Sequence, residues 1–228
     1  MRVRLVAATV ALLTFGAASA SAAVIVVKSS GPSARNFPAG KALQDGDKLS
    51  LKSNDLVVLL DSRGTRTLRG PGSFPAASTG PARSMSSLAA LTGQGRARGR
   101  VGAVRGPVPR SIWQADSQKS ETMCFANTGD ISIYRDNIAA AETVTVKDLA
   151  SGRSAKVNFA ATMQTAPWPA EVPIAANGRY QIGGSTVSMK SISPLPAGLE
   201  GIAQSLIRND CQGQLDILIN TFTIASSE

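Results

Sequence analysis

A Pro-, Gly- and Arg-rich stretch spans residues 76–110 and divides the chain in two. Pro81, Pro107 and Pro109 lie in it, with Gly93, Gly95, Gly99, Gly102 and Gly106. Such a composition buries too little apolar surface to offset the entropy of ordering a backbone. The stretch therefore reads as a flexible linker between two folded units. The charge is concentrated here too. From Ser62 to Ala115 there are nine arginines and no lysine, aspartate or glutamate, while the other basic and acidic residues cancel at fifteen each. The formal net charge of +9 thus belongs to one cationic stretch on a near-neutral body. Guanidinium forks suit phosphate and carboxylate, so Arg96, Arg98, Arg100, Arg105 and Arg110 are candidate anion-binding residues. The competing reading is a solvated linker that its own charge keeps extended.

The first residues predict an address. Arg2 and Arg4 precede an uncharged apolar run, Leu5 to Ala18, and Ala20-Ser21-Ala22 is a small-x-small cleavage site. Residues 1–22 read as a secretory signal peptide, with a mature chain beginning near Ala23. The alternative is a retained membrane anchor. A spanning helix needs about 20 apolar residues, and the run from Leu5 to Ala18 holds 14. Periplasmic or extracellular localisation follows from the first reading. In an oxidising compartment the two cysteines, Cys124 and Cys211, are expected to pair.

Between residues 23 and 75 the pattern is one of short strands. Val24 to Lys28 is strand-like, Leu49 and Leu51 alternate with polar neighbours, and Leu56 to Leu60 is a continuous apolar run. Asp45-Gly46, Asn54-Asp55 and Asp61-Ser62-Arg63-Gly64 mark turns. The series Gly40, Leu43, Gly46-Asp47, Leu49, Leu51, Leu56 to Leu60, Gly64-Thr65, Leu68 and Gly70-Pro71-Gly72-Ser73-Phe74 resembles the FecR-type periplasmic domain. The resemblance implies a small β-domain that receives or relays a signal by protein contact, without enzymatic activity. The chain departs from FecR regulators in showing neither their cytoplasmic sigma-factor-controlling arm nor the membrane span that follows it.

From residue 111 to 228 short strands recur at about ten-residue spacing, which suggests a sandwich. They are expected at Met123–Ala126, Ile131–Tyr134, Thr143–Val146, Lys156–Phe159, Arg179–Ile182 and Val187–Ile192. Trp113 and Trp168 are expected as core anchors. The end changes period. Leu199, Ile202, Ala203, Leu206 and Ile207 fall at helical spacing, as do Leu215, Leu218, Ile219 and Phe222. Asn209-Asp210 breaks the pair, so Cys211 would tie a helical hairpin to the strand around Cys124. The expected fold is mainly β: a small FecR-like β-domain, an Arg/Gly/Pro-rich linker, then a β-sandwich-like domain with a C-terminal helical hairpin.

The chain has no histidine. That removes Ser-His-Asp and Cys-His nucleophile systems, His-ligated metals and the usual neutral-pH acid/base. Asp45-Gly46-Asp47 reads as a hairpin turn, since an EF-hand needs a longer ligand series ending in Glu. No phosphate-cradling or dinucleotide-binding glycine pattern is present. No cofactor, metal or catalytic residue is assigned. The function expected is a non-enzymatic binding, regulatory or adaptor protein of the cell envelope, acting through protein–protein contact. The alternative is a binder of anionic envelope polymers or lipid head groups through the arginines, with peripheral membrane contact. Nucleic acid is not expected as a partner, and an enzyme of unknown type is the least favoured class.

Overall fold

Valines and leucines fill both faces of the first sheet, and that requirement organises the molecule. The computed structural model describes residues 24–78 and 110–223. Strands β1 (Val24–Ser30), β2 (Ala42–Leu43), β4 (Leu56–Asp61) and β5 (Gly64–Arg69) form an antiparallel sheet in the order β2-β1-β4-β5. The pair β3 (Lys48–Leu51) and β6 (Gly72–Pro75) forms a second layer. Between them Val24, Val26, Leu49, Leu51, Val57 and Leu59 make a small core. The opposite face of the same sheet presents Ile25, Val27, Val58 and Leu60, which belong to a different and larger core.

The second block is a sandwich. Strands β8 (Glu121–Phe125), β10 (Glu142–Asp148), β11 (Ser154–Phe159), β13 (Arg179–Ile182) and β14 (Ser185–Ser191) form a sheet ordered β11-β10-β13-β14-β8. All its pairs are antiparallel except β14 with β8. A smaller sheet holds β7 (Gln114–Asp116), β9 (Ser132–Tyr134) and β12 (Thr165–Pro167). The strict alternation of β10, β11 and β13 puts Val144, Val146, Val157, Phe159, Tyr180 and Ile182 inside and their neighbours in solvent. Trp113 is buried in this core. Trp168 is only partly buried, packed edge-on against Tyr180 with its Nε1–H donated to the Val172 carbonyl.

Helices α1 (Gly198–Arg208) and α2 (Gln212–Thr221) form the hairpin expected from the change of period. Asp210, at φ +58°, turns the chain between them. Helix α1 packs on β1 and β4, burying Leu199, Ile202, Ala203 and Leu206 against the outer face of the first sheet. Helix α2 packs on β8, and its end reaches β5, where the Thr65 N–H donates to the Phe222 carbonyl. The hairpin is thus a wall common to both blocks. One buried core extends from Ile25 and Leu60 of the first block to Met189 of the second. Residues at both ends of the 76–110 stretch have fixed contacts. Ala76 is fully buried and Ser78 Oγ–H donates to Asp61, while Arg110 is already fixed at the start of the second block.

Candidate interaction surface

Arg135 follows β9 and is 1 % exposed, an environment that a cation tolerates only when its donors are satisfied. They are. Nε donates to the Met163 carbonyl at 2.9 Å, Nη2 to the Ala160 carbonyl at 2.8 Å, and Nη1 to the Ala140 carbonyl at 2.9 Å. Nη1 also lies 3.3 Å from a carboxylate oxygen of Glu142, and the guanidinium stands 5.0 Å from the centre of the Phe159 ring. One side chain therefore clasps two loops, residues 136–141 and 160–164. The loops also bond to each other, through the Thr162 N–H and the Ile138 carbonyl at 2.8 Å.

What the clasp holds up is apolar. Ile138 and Met163 are 39 % and 41 % exposed, and among the described residues only Leu149 and Leu195 are large hydrophobic side chains placed likewise. Ala139, Ala140, Ala141, Ala160 and Ala161 lie around them and are exposed as well. The nearby acids are occupied: Asp136 accepts from the Tyr134 hydroxyl at 2.6 Å and Glu142 faces Arg135. A cleft of about 450 Å³ runs beside Met163 to Phe159 and Thr143. Fixed loops with a small, unpartnered apolar cap are suited to contact with another protein, because little ordering entropy remains to be lost on docking.

Of the five candidate arginines, only Arg110 lies among the described residues; Arg96, Arg98, Arg100 and Arg105 lie outside them. Arg110 is spent internally. It donates to buried Asp116 at 2.9 Å and to the Gln114 carbonyl at 3.1 Å, and its guanidinium stacks over Tyr134 at 4.4 Å. Asp116 also accepts from the Gln118 N–H and faces Lys119 at 3.6 Å. Glu121, close by, is pushed above the ordinary carboxylate range by burial, against the opposing pull of Arg110.

The cysteines behave as their isolation in the sequence suggests. Cys124 and Cys211 form a disulfide with a Cα–Cα distance of 5.9 Å. Both are buried, as is Gln214 one turn further along α2. Asp47 closes a turn on the Gln44 N–H, so Asp45-Gly46-Asp47 is a turn as expected, but not a hairpin: β2 before it pairs with β1 and β3 after it pairs with β6, which carries the chain from one sheet to the other. Among the described residues no group of acids and cysteines is arranged to hold a metal ion, and no helix is long and apolar enough to cross a membrane. Arg135 and Gln214 were not legible as functional or organising residues in the sequence. The only trace of Gln214 is a polar residue interrupting the apolar stripe of α2.

No family model, no curated protein and no solved structure matches this chain.

Proposed function

We propose that this is an exported, non-enzymatic adaptor or regulatory protein of the cell envelope that works by protein–protein contact. The observation that carries the reading is the apolar cap of Ile138 and Met163, held rigid by a buried arginine. The buried disulfide is in keeping with an oxidising compartment. The FecR-like pattern of the first strands fits a signal-receiving or relaying role, exercised without chemistry of its own.

The test uses the mature protein as bait in an envelope extract, beside an Ile138→Asp/Met163→Asp variant. Both side chains are exposed, so the variant should melt with the wild type. A partner captured by the wild type and lost by the variant supports the reading. A partner retained equally by both, or no saturable partner at all, overturns it.

A further inference from the structure

The outer face of the five-stranded sheet carries four cations, and the strand register places them in one line. Lys156 on β11 stands opposite Thr145 on β10, two residues before Lys147. Lys147 stands opposite Gln181 on β13, two residues from Arg179. Arg179 stands opposite Ser188 on β14, two residues before Lys190. Each step goes one strand across and two residues along, always in the same direction. Diagonal neighbours on a sheet lie about 7–8 Å apart, so the file is roughly 22 Å long. It ends at Lys190, whose cross-strand partner Cys124 is bridged to the helical hairpin.

Among the described residues no acid on the outward side of these strands neutralises the file. The other strand residues pointing outward from β11, β10, β13 and β14 are serine, threonine, asparagine or glutamine, with no acid among them. The nearest acids by sequence point elsewhere: Glu142 to Arg135, and Asp148 into its own turn, where it accepts from Ala150 and Ser151. Among the described residues none of the four cations has an ion-pair partner. Lys147, Lys156 and Arg179 are exposed and Lys190 is half-buried.

We infer that this file is a binding track for an extended acidic polysaccharide. A single compact anion would need converging donors, whereas these are spread evenly over four strands. The hydroxyl and amide groups beside the file, at Thr145, Ser154, Gln181 and Ser188, suit sugar hydroxyls. No aromatic side chain points outward from these strands, so the face lacks the stacking platforms that single-stranded nucleic acid uses. The track uses none of the side chains of the apolar cap and none of the arginines of residues 76–110.

The test measures binding of the full mature chain to polygalacturonate at low salt. Neutral dextran, a single-stranded oligonucleotide and phosphatidylglycerol vesicles serve as the other arms. Lys147→Gln/Lys156→Gln/Arg179→Gln/Lys190→Gln is compared with a charge-matched control, Lys28→Gln/Lys48→Gln/Lys52→Gln/Arg208→Gln. Four ion contacts at the surface, each contributing a factor of about two to three, predict a loss of about thirtyfold in the track variant. The control should bind like the wild type, and dextran should not bind. The pair Lys147→Gln/Lys156→Gln should fall between the two. Equal weakening of track variant and control would reduce the effect to net charge and overturn the inference. Undiminished binding by the track variant would do the same and return the role to the linker arginines. Tighter binding of the oligonucleotide or the vesicles than of polygalacturonate would assign the face to another partner and also overturn it.

Discussion

The side-chain amide of Gln214 occupies the place of a neighbouring strand beside Cys124. Its Oε1 accepts from the Cys124 N–H at 2.6 Å, and its Nε2–H groups donate to the carbonyls of Cys124 and Ile112 at 2.8 and 2.7 Å. Strand β8 is the edge of its sheet, and an edge leaves backbone groups unpaired. One glutamine closes that edge, three residues after the cysteine that is covalently bound to the same strand.

Gln214→Leu keeps the bulk and removes the pairing of one buried N–H and two buried carbonyls. Unmet buried groups cost about 1–3 kcal/mol each, with partial relaxation, so a loss of about 3 kcal/mol is expected in urea unfolding of the oxidised protein. Gln214→Glu can still accept from Cys124 but cannot donate while ionised, so its deficit should shrink as the pH is lowered. A Leu variant as stable as the wild type would show that the amide is incidental.

The disulfide closes a segment with a sequence separation of 87. Chain-entropy reasoning gives a contribution of about 4.6 kcal/mol. Because the hairpin it anchors also covers the first sheet, the loss should be felt at both ends of the molecule. In a Cys124→Ala/Cys211→Ala variant, amide exchange should accelerate at Val58 and Leu60 as well as at Met123. Protection unchanged at Val58 and Leu60 would mean that the first sheet does not depend on the hairpin.

Arg135→Lys keeps the charge but lacks the fork that reaches three carbonyls. Breaking such a buried set costs about 3–5 kcal/mol, and a large drop in thermal midpoint is expected. The local signature is exchange of the Thr162 amide, which bonds to Ile138 across the two loops. That amide should exchange faster than the core strands even where the variant remains folded.

Two groups of carboxyls set opposite pH trends. Burial holds Glu121 and Glu200 above the ordinary range. A raised folded-state pKa means that ionisation costs stability as pH rises through it, while below the unfolded value the penalty is absent. Glu121→Gln should therefore raise the thermal midpoint at neutral pH, with the gain vanishing below about pH 4. Asp55 works the other way: burial would raise its pKa, but hydrogen bonds from the Ser33 and Lys52 amides outweigh that and hold it low. Its contribution is present above the unfolded value and lost as pH falls through the depressed one. Asp55→Asn should cost stability at neutral pH and progressively less in acid.

Much of the second block was legible because its strands face solvent on one side. Alternation such as Arg179-Tyr180-Gln181-Ile182 states both the strand and its inner face, and the observed limits coincide with the expected ones. The helices were readable from Leu199, Ile202, Ala203 and Leu206 for the same reason, one apolar stripe against a polar remainder. The first block carried a clue of a different kind. Val24 to Val27 and Leu56 to Leu60 are apolar at both parities, so both faces of their sheet had to be covered. About fifty residues of short strands hold cover for one face only, and the second cover came from the far end of the chain. Arg135 left no trace, because its acceptors are backbone carbonyls, which any sequence supplies. The file of Lys156, Lys147, Arg179 and Lys190 was hidden by register: the four are scattered along the sequence and line up only once the strands are paired.

The shared wall makes a further demand on how the protein assembles. Ile25, Val27, Val58 and Leu60 lie on a strand pair far in sequence from the helix that buries them. No disulfide joins the first block to the second, since both cysteines lie in the second. If the interface is as continuous as the core suggests, residues 23–78 and 110–228 expressed together as separate chains should co-purify. Residues 23–78 alone should aggregate, because one face of the sheet would be bare Val, Ile and Leu. Leu60→Ala should weaken the split pair and cost the intact chain about 3 kcal/mol, the usual loss for emptying a buried leucine site. Size-exclusion chromatography of the co-expressed fragments, with and without that substitution, decides the matter. If residues 23–78 instead elute as a soluble, cooperatively melting species, the first sheet satisfies its second face without α1, and the linker separates two bodies after all.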